Sequence, residues 1–254
     1  MRKPLPALLL LFVLPYLNLS AQEREKITHT SGPKNAKIEE CYDVLKEDTS
    51  IKDGQYQLIR NGKIVLSGHY DHGQKDSVWE AYGPRGMVIS RKWYAKGQRT
   101  GQWDFYGYQG EPDWSYDFSA NKTSVQRQIQ PFSSPSACYY PSDSGTWVNV
   151  QPDKPLVALS GSGEWLIFLN RTLRYPDEAV NKSLMGDVEI SVTVDETGAI
   201  TGFGIARSAA PSLDAEALRI VKLFPFEFIP AEKDGKKIKA QLRVPVRFRL
   251  ENGN

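Results

Sequence analysis

Few side chains in this sequence have the type and spacing that chemistry requires. There are three histidines, and two of them, His69 and His72, flank Asp71 in one short turn. Imidazole and carboxylate donors can hold a metal, but a zinc-type site needs a third protein ligand. None is in view, so a solvated turn is expected, with no metal and no cofactor. The chain lacks a G-x-S-x-G elbow, an H-E-x-x-H pair and a phosphate loop, and no catalytic residue is assigned. Cys41 and Cys138 are the two cysteines, and neither lies in a C-x-x-C pair. They flank an aromatic-rich segment, where a disulfide would close it; the alternative is two buried thiols, because a bridge needs Cα atoms within about 7 Å. Positive charge recurs near the end of the chain, where Lys239, Arg243, Arg247 and Arg249 fall on one face of an alternating segment. Such a face could meet an acidic partner, or simply solvate a sheet and deter aggregation.

The elements that would carry these residues fall into distinct regions. Arg2 and Lys3 precede an apolar run from Leu5 to Leu19, and small residues at Ser20-Ala21 lead into polar Gln22-Glu23-Arg24. That is the layout of a secretory leader, with cleavage expected after Ala21. The rival reading is a retained inner-membrane anchor, but a spanning helix needs about 20 apolar residues, and Pro4, Pro6 and Pro15 interrupt this run. Of 32 basic and 30 acidic residues, the leader removes Arg2 and Lys3, leaving 30 of each. A formally neutral chain has no electrostatic footprint for nucleic acid.

Residues 22–52 form an N-terminal segment, and residues 53–122 repeat. Tyr56, Trp79 and Trp103 recur at spacings of 23 and 24, and Tyr70, Tyr94 and Phe118 at 24 and 24. Turn signals such as Asn61-Gly62, Arg85-Gly86 and Gly97 punctuate each unit. Alternating aromatic and polar residues predict half-buried strands, and one hairpin cannot bury its aromatic face alone, so units should stack. The aromatic stripe is therefore expected to be a shared core rather than a ligand cage. The phrase around Gly101-Gln102-Trp103 and its counterparts resembles MORN-like repeats.

Residues 123–151 turn Ser- and Pro-rich and read as a linker. Beyond them, Trp165, Leu166, Leu169 and Leu173 have helical spacing, and a short helix should follow Tyr175-Pro176. Val188, Ile190, Val192 and Val194 alternate as a strand; Ile200 to Arg207 is a second; Ser212 caps another helix; and Ile238 to Leu250 alternates as a long last strand. This is an α+β layer, two helices on a three-stranded antiparallel sheet, following an all-β repeat of stacked hairpins.

The phrases Tyr175-Pro176, Gly186-Asp187-Val188, Val194-Asp195 with Gly198, Leu213-Asp214 with Glu216-Ala217-Leu218, Phe228 with Pro230-Ala231 and Gly235, and Val244-Pro245-Val246 with Phe248 stand in order. Together they resemble the TonB C-terminal domain, over residues 152–252. That resemblance implies a peptide-binding module of the cell envelope, not an enzyme. It implies β-strand addition of an extended peptide from an outer-membrane TonB-dependent transporter, or another envelope protein, to the exposed edge of the last strand. Lys239, Gln241, Leu242, Arg243, Val244 and Arg247 are the expected peptide-binding positions, and Tyr175 and Pro176 match the family's partner contact. Pro245 suits an edge, where a missing N–H costs no ladder bond. A cleaved leader makes the protein a periplasmic binder; a retained one would make it an anchored energy transducer driven by an inner-membrane motor. A repeat-based structural protein of the envelope is a further alternative, and a homodimer is compatible with any of these.

Overall fold

The computed structural model describes residues 22–33, 36–125, 138–142, 144–149 and 152–250. The expected leader, 1–21, lies outside the described residues. Among those residues no helix is long and apolar enough to cross a membrane.

The first half is a single antiparallel meander. β1 (Arg24–Ser31), β2 (Ile38–Leu45), β3 (Lys52–Arg60), β4 (Lys63–Asp71), β5 (Gln74–Tyr82), β6 (Val88–Ala95), β7 (Gln98–Tyr106), β8 (Pro112–Asp117) and β9 (Lys122–Val125) lie side by side in chain order. Stacked hairpins are therefore what the repeat builds. The sheet starts earlier than the repeat spacing suggests, since residues of the expected separate segment 22–52 supply β1 and β2. The reason is Tyr42, which brings its ring into the same aromatic face as Tyr56.

That face is the shared core the spacing predicts. Trp103 is fully buried, with its ring centroid 5.1 Å from Tyr94 and 5.0 Å from Phe118. One unit earlier, Trp79 lies 5.2 Å from Tyr56 and 5.0 Å from Tyr70. Both indole N–H groups are satisfied in the same way, Trp79 by the carbonyl of His69 and Trp103 by that of Trp93. Cations repeat too: Lys52 sits over Tyr56, Lys75 over both Trp79 and Tyr94, and Arg99 over Phe118. A cation on a ring face is attracted by the ring quadrupole, so these side chains lid the aromatic column as well as solvating it. Burial of the Lys75 ammonium pushes its pKa down.

The second half begins inside the expected linker. β10 (Cys138–Pro141) and β11 (Trp147–Val148) lie within 123–151 and join the C-terminal sheet. Then follow β12 (Val157–Ala158), α1 (Ser162–Thr172), α2 (Asp177–Asn181), β13 (Gly186–Val194), β14 (Ile200–Arg207), α3 (Pro211–Leu223), β15 (Phe228–Ile229), β16 (Ala231–Lys233), β17 (Lys236–Ile238) and β18 (Ala240–Phe248). The sheet order is β11-β10-β18-β13-β14, five strands where the alternation alone predicts three. β10 was hidden because its Cys-Tyr-Tyr run is too short to show a period, yet Tyr140 is buried in the core and its hydroxyl accepts the N–H of Leu156.

The core obeys the alternation. Val188, Ile190, Val192 and Val194 of β13, and Val244 and Val246 of β18, are fully buried under Leu213, Ala217, Ile220 and Val221 of α3. Burying a side chain of this size contributes roughly 1.5–3 kcal/mol, so these ten positions dominate the stability of this half. α3 covers the sheet, with α2 packed against α3. α1 does not complete that layer: its body lies against β6 and β7 of the repeat sheet, and Trp165 alone of its buried residues reaches the C-terminal core.

Candidate functional site

α1 is positioned from outside its own half. Its first turn would leave N–H groups unsatisfied, and the flanking Gly161 has no side chain to cap them. The buried carboxylate of Asp113 on β8 supplies the cap: its Oδ2 accepts from the Ser162 N–H at 3.0 Å and the Ser162 hydroxyl at 2.6 Å. Glu164 closes the turn further, accepting from the Gly161 N–H, the Ser160 hydroxyl and, across the junction, the Ser90 hydroxyl at 2.7 Å. The buried indole of Trp114 donates to the Ser160 carbonyl. Approach this close needs a residue without a side chain, since a Cβ on Gly163 would come within 2.6 Å of the Tyr106 carbonyl oxygen. Leu159 is 2% exposed and packs into the aromatic core of the repeat sheet, with Val157 and Ile229 beside it. The two halves are thus joined by an apolar seam edged with hydrogen bonds.

This placement leaves α1 facing the outer side of β18. On its inner side β18 pairs with β13 from Gly186↔Phe248 to Val194↔Ala240. On its outer side β10 pairs at two positions, Tyr139↔Gln241 and Cys138↔Leu242. The last strand is therefore not the edge strand that the resemblance implies; its first residues are already taken. From Arg243 to Phe248 no described strand pairs with the outer side. Pro245 lies in this stretch, where a missing N–H leaves no gap in a ladder. Alongside runs an apolar groove of about 570 Å³, lined by Trp165, Leu166, Leu169, Leu173, Pro245 and Arg247. Leu166 is 41% exposed, unusual for a leucine with no partner over it.

The expected site residues separate on inspection. Leu242 and Val244 point into the core and offer only backbone. Gln241 donates to the Thr193 hydroxyl, and Arg243 stacks on the Tyr139 ring of β10 at 4.4 Å. Lys239 and Arg247 are exposed, whereas Arg249 pairs with Asp187. Half of the basic face, Arg243 and Arg249, is therefore engaged within the protein. Tyr175 donates its hydroxyl to the Leu184 carbonyl and sets its ring edge-on to Phe248, and Pro176 caps α2; both have structural work there.

Cys41 is a free thiol on β2, accepting from the Thr28 hydroxyl. The structure has Cys41 unbridged, on a strand of the repeat sheet, whereas Cys138 begins β10 in the C-terminal sheet. The turn carrying Asp71 and His72 does gain a third neighbour that spacing could not show. Asp53 comes close enough to form a possible ligand group with them. Its role is explained otherwise: Asp53 accepts the His72 N–H and the Arg24 guanidinium, and one unit on, Asp76 accepts the Lys96 N–H in the same way. A lysine at the equivalent position marks a repeating turn cap. Burial works against the Asp53 carboxylate, but those donors outweigh it and hold its pKa below the ordinary value.

Residues 171–250 match the family model for the Gram-negative bacterial TonB protein C-terminal. The matched span runs from the end of α1 through β18, so the rim beside Arg243–Phe248 lies within it. The solution structure of the Helicobacter pylori TonB C-terminal domain is similar at 22% identity, covering 35% of this chain and 80% of that one, with a TM-score of 0.27. No curated protein matches the chain. The TonB-like span takes in β13, β14, α3 and β18 whole, whereas β10, the Asp113 cap and nearly all of α1 lie before it.

Proposed function

We propose that this protein is a periplasmic binding module that captures an extended peptide by β-strand addition on the outer side of β18, between Arg243 and Phe248. The observation that carries the reading is a rim that no described strand pairs, set beside an apolar groove with an exposed leucine. An extended guest would find backbone donors and acceptors in register on one side. Alternate side chains of the guest would meet Leu166, Leu169 and Leu173 on the other. Backbone bonds contribute affinity without regard to sequence, and the groove supplies preference for apolar guest residues.

The matched family acts in envelope energy transduction and outer-membrane transport. On that basis the guest is a periplasmic segment of an outer-membrane TonB-dependent transporter. The repeat sheet, read as MORN-like units, serves as the rigid support on which α1 is mounted. On this reading the protein acts by binding.

A titration with a synthetic peptide from the periplasmic segment of such a transporter tests this reading, followed by amide NMR. Shifts should concentrate at Arg243–Phe248 and along α1. Leu166→Glu should weaken binding by about tenfold, the effect of losing roughly 1.4 kcal/mol, and leave the fold intact because that side chain is already exposed. Leu242→Pro is the wrong probe, since Leu242 is 1% exposed in the core. Shifts confined to the repeat sheet, or a Leu166→Glu protein that binds like the wild type, would overturn the proposal.

A further inference from the structure

A second recess, of about 400 Å³, opens between the repeat sheet and the far end of α1. Its walls are mostly apolar, with Leu58, Leu66, Ile89, Ile167, Phe168 and Phe224 contributing. Four charged side chains also line it: Arg60, Lys92, Glu164 and Arg171. Lys92 and Glu164 face each other at 3.7 Å, and Lys92 has Glu227 as a second partner. Among the described residues, Arg60 and Arg171 have no ion pair and no side-chain hydrogen bond. The Arg60 Nε is buried without an acceptor.

Half-buried Arg60 and exposed Arg171 thus bring two guanidiniums without an anionic partner to the rim of one largely apolar recess. Burial, and then the like charge of Arg60, push the pKa of Arg171 down. Arg60 ends β3 just before the Asn61-Gly62 turn, and Arg171 is in the last turn of α1. They come from the two halves of the molecule and converge only because α1 is docked. A guanidinium presents its donors in a planar fork that fits an oxyanion with two hydrogen bonds. The walls beyond them offer contact to hydrocarbon.

We propose that this recess binds a single-chain amphiphile with an oxyanion head, the head on Arg60 and Arg171 and the alkyl tail along Leu58, Leu66, Ile167 and Phe224. The site is separate from the rim on β18 and stands whether or not that rim takes a peptide. Laurate, kept below its micelle-forming concentration, is the probe, with dodecanol and acetate as the two halves of its chemistry.

Calorimetric titration should give one laurate per chain, with dodecanol and acetate each weaker by about tenfold or more. Arg60→Met and Arg171→Met should each weaken laurate by about tenfold. Neither should lower the thermal midpoint, because each relieves a like-charge contact. Lys182→Met, just after α2, should bind as the wild type does. Equal binding of laurate and dodecanol would reveal unspecific adsorption and overturn the proposal. So would acetate as tight as laurate, or arginine variants that bind unchanged.

Discussion

Asp113 on β8 and Ser162 at the start of α1 are 49 residues apart, yet one carboxylate oxygen of Asp113 accepts both the backbone N–H and the hydroxyl of Ser162. A helix cap ordinarily comes from the residue just before the helix; here the repeat sheet provides it. Asp113→Ala should therefore destabilise the protein by about 1–3 kcal/mol, the cost of a buried donor left without its acceptor. Denaturant unfolding would register the loss, and hydrogen exchange should quicken in the first turn of α1 before it does in β13.

The repeat sheet has a point of contact closer than any side chain allows. A Cβ on Gly68 would fall 2.2 Å from the indole of Trp79. Gly68→Ala should force that ring out of its place between Tyr56 and Tyr70, costing about 1–3 kcal/mol as overpacking does. Near-ultraviolet circular dichroism should change along with the thermal midpoint. Trp103→Ala, at a fully buried ring, should cost about 3–5 kcal/mol through the cavity it leaves.

Glu216 on α3 holds the connection between α1 and α2. Burial works to raise its pKa, but hydrogen bonds from Arg219 and from the Arg174 N–H, with the charges behind them, bring it below the ordinary 4.5. A carboxyl with a lower pKa folded than unfolded adds stability above its unfolded pKa, and that stability is lost as pH falls through the folded value. The wild type should accordingly outlast Glu216→Gln near neutral pH, and the gap between their thermal midpoints should close as pH falls below about 4.5.

The Cys41 thiol should react without prior reduction. Mass spectrometry after treatment with iodoacetamide under non-reducing conditions should show Cys41 alkylated. A protein that becomes alkylated at Cys41 only after reduction would contain a bridge where the structure has a free thiol.

Strong periodicity was legible in the residues, and weak periodicity was not. The valines of β13, the alternation of β18 and the aromatic spacing of 23 and 24 all became core, because each burial face carries its own pattern. β10 has two paired positions on β18 and too few residues to show any pattern, so the rim it covers looked free. The cap on α1 could not be read either. Asp113 and Ser162 have nothing in common until the sheet and the helix meet, although the Gly161-Ser162-Gly163 run does mark a place where chains approach closely. Arg60 and Arg171 were invisible as a pair for the same reason. Spacing reports what an element does with itself, and these features lie between elements.

The two-position ladder of β10 on β18 makes the outer side of that strand a contested resource. On the proposed reading, a guest confined to Arg243–Phe248 covers about 20 Å of strand and displaces no described strand. One that extends to Gln241 must compete with a segment of the same chain, which no dilution can remove and whose effective concentration is set by its tether. If the rim takes a peptide as proposed, the protein carries a built-in rival that penalises longer guests, and discrimination by length comes before any discrimination by side chain.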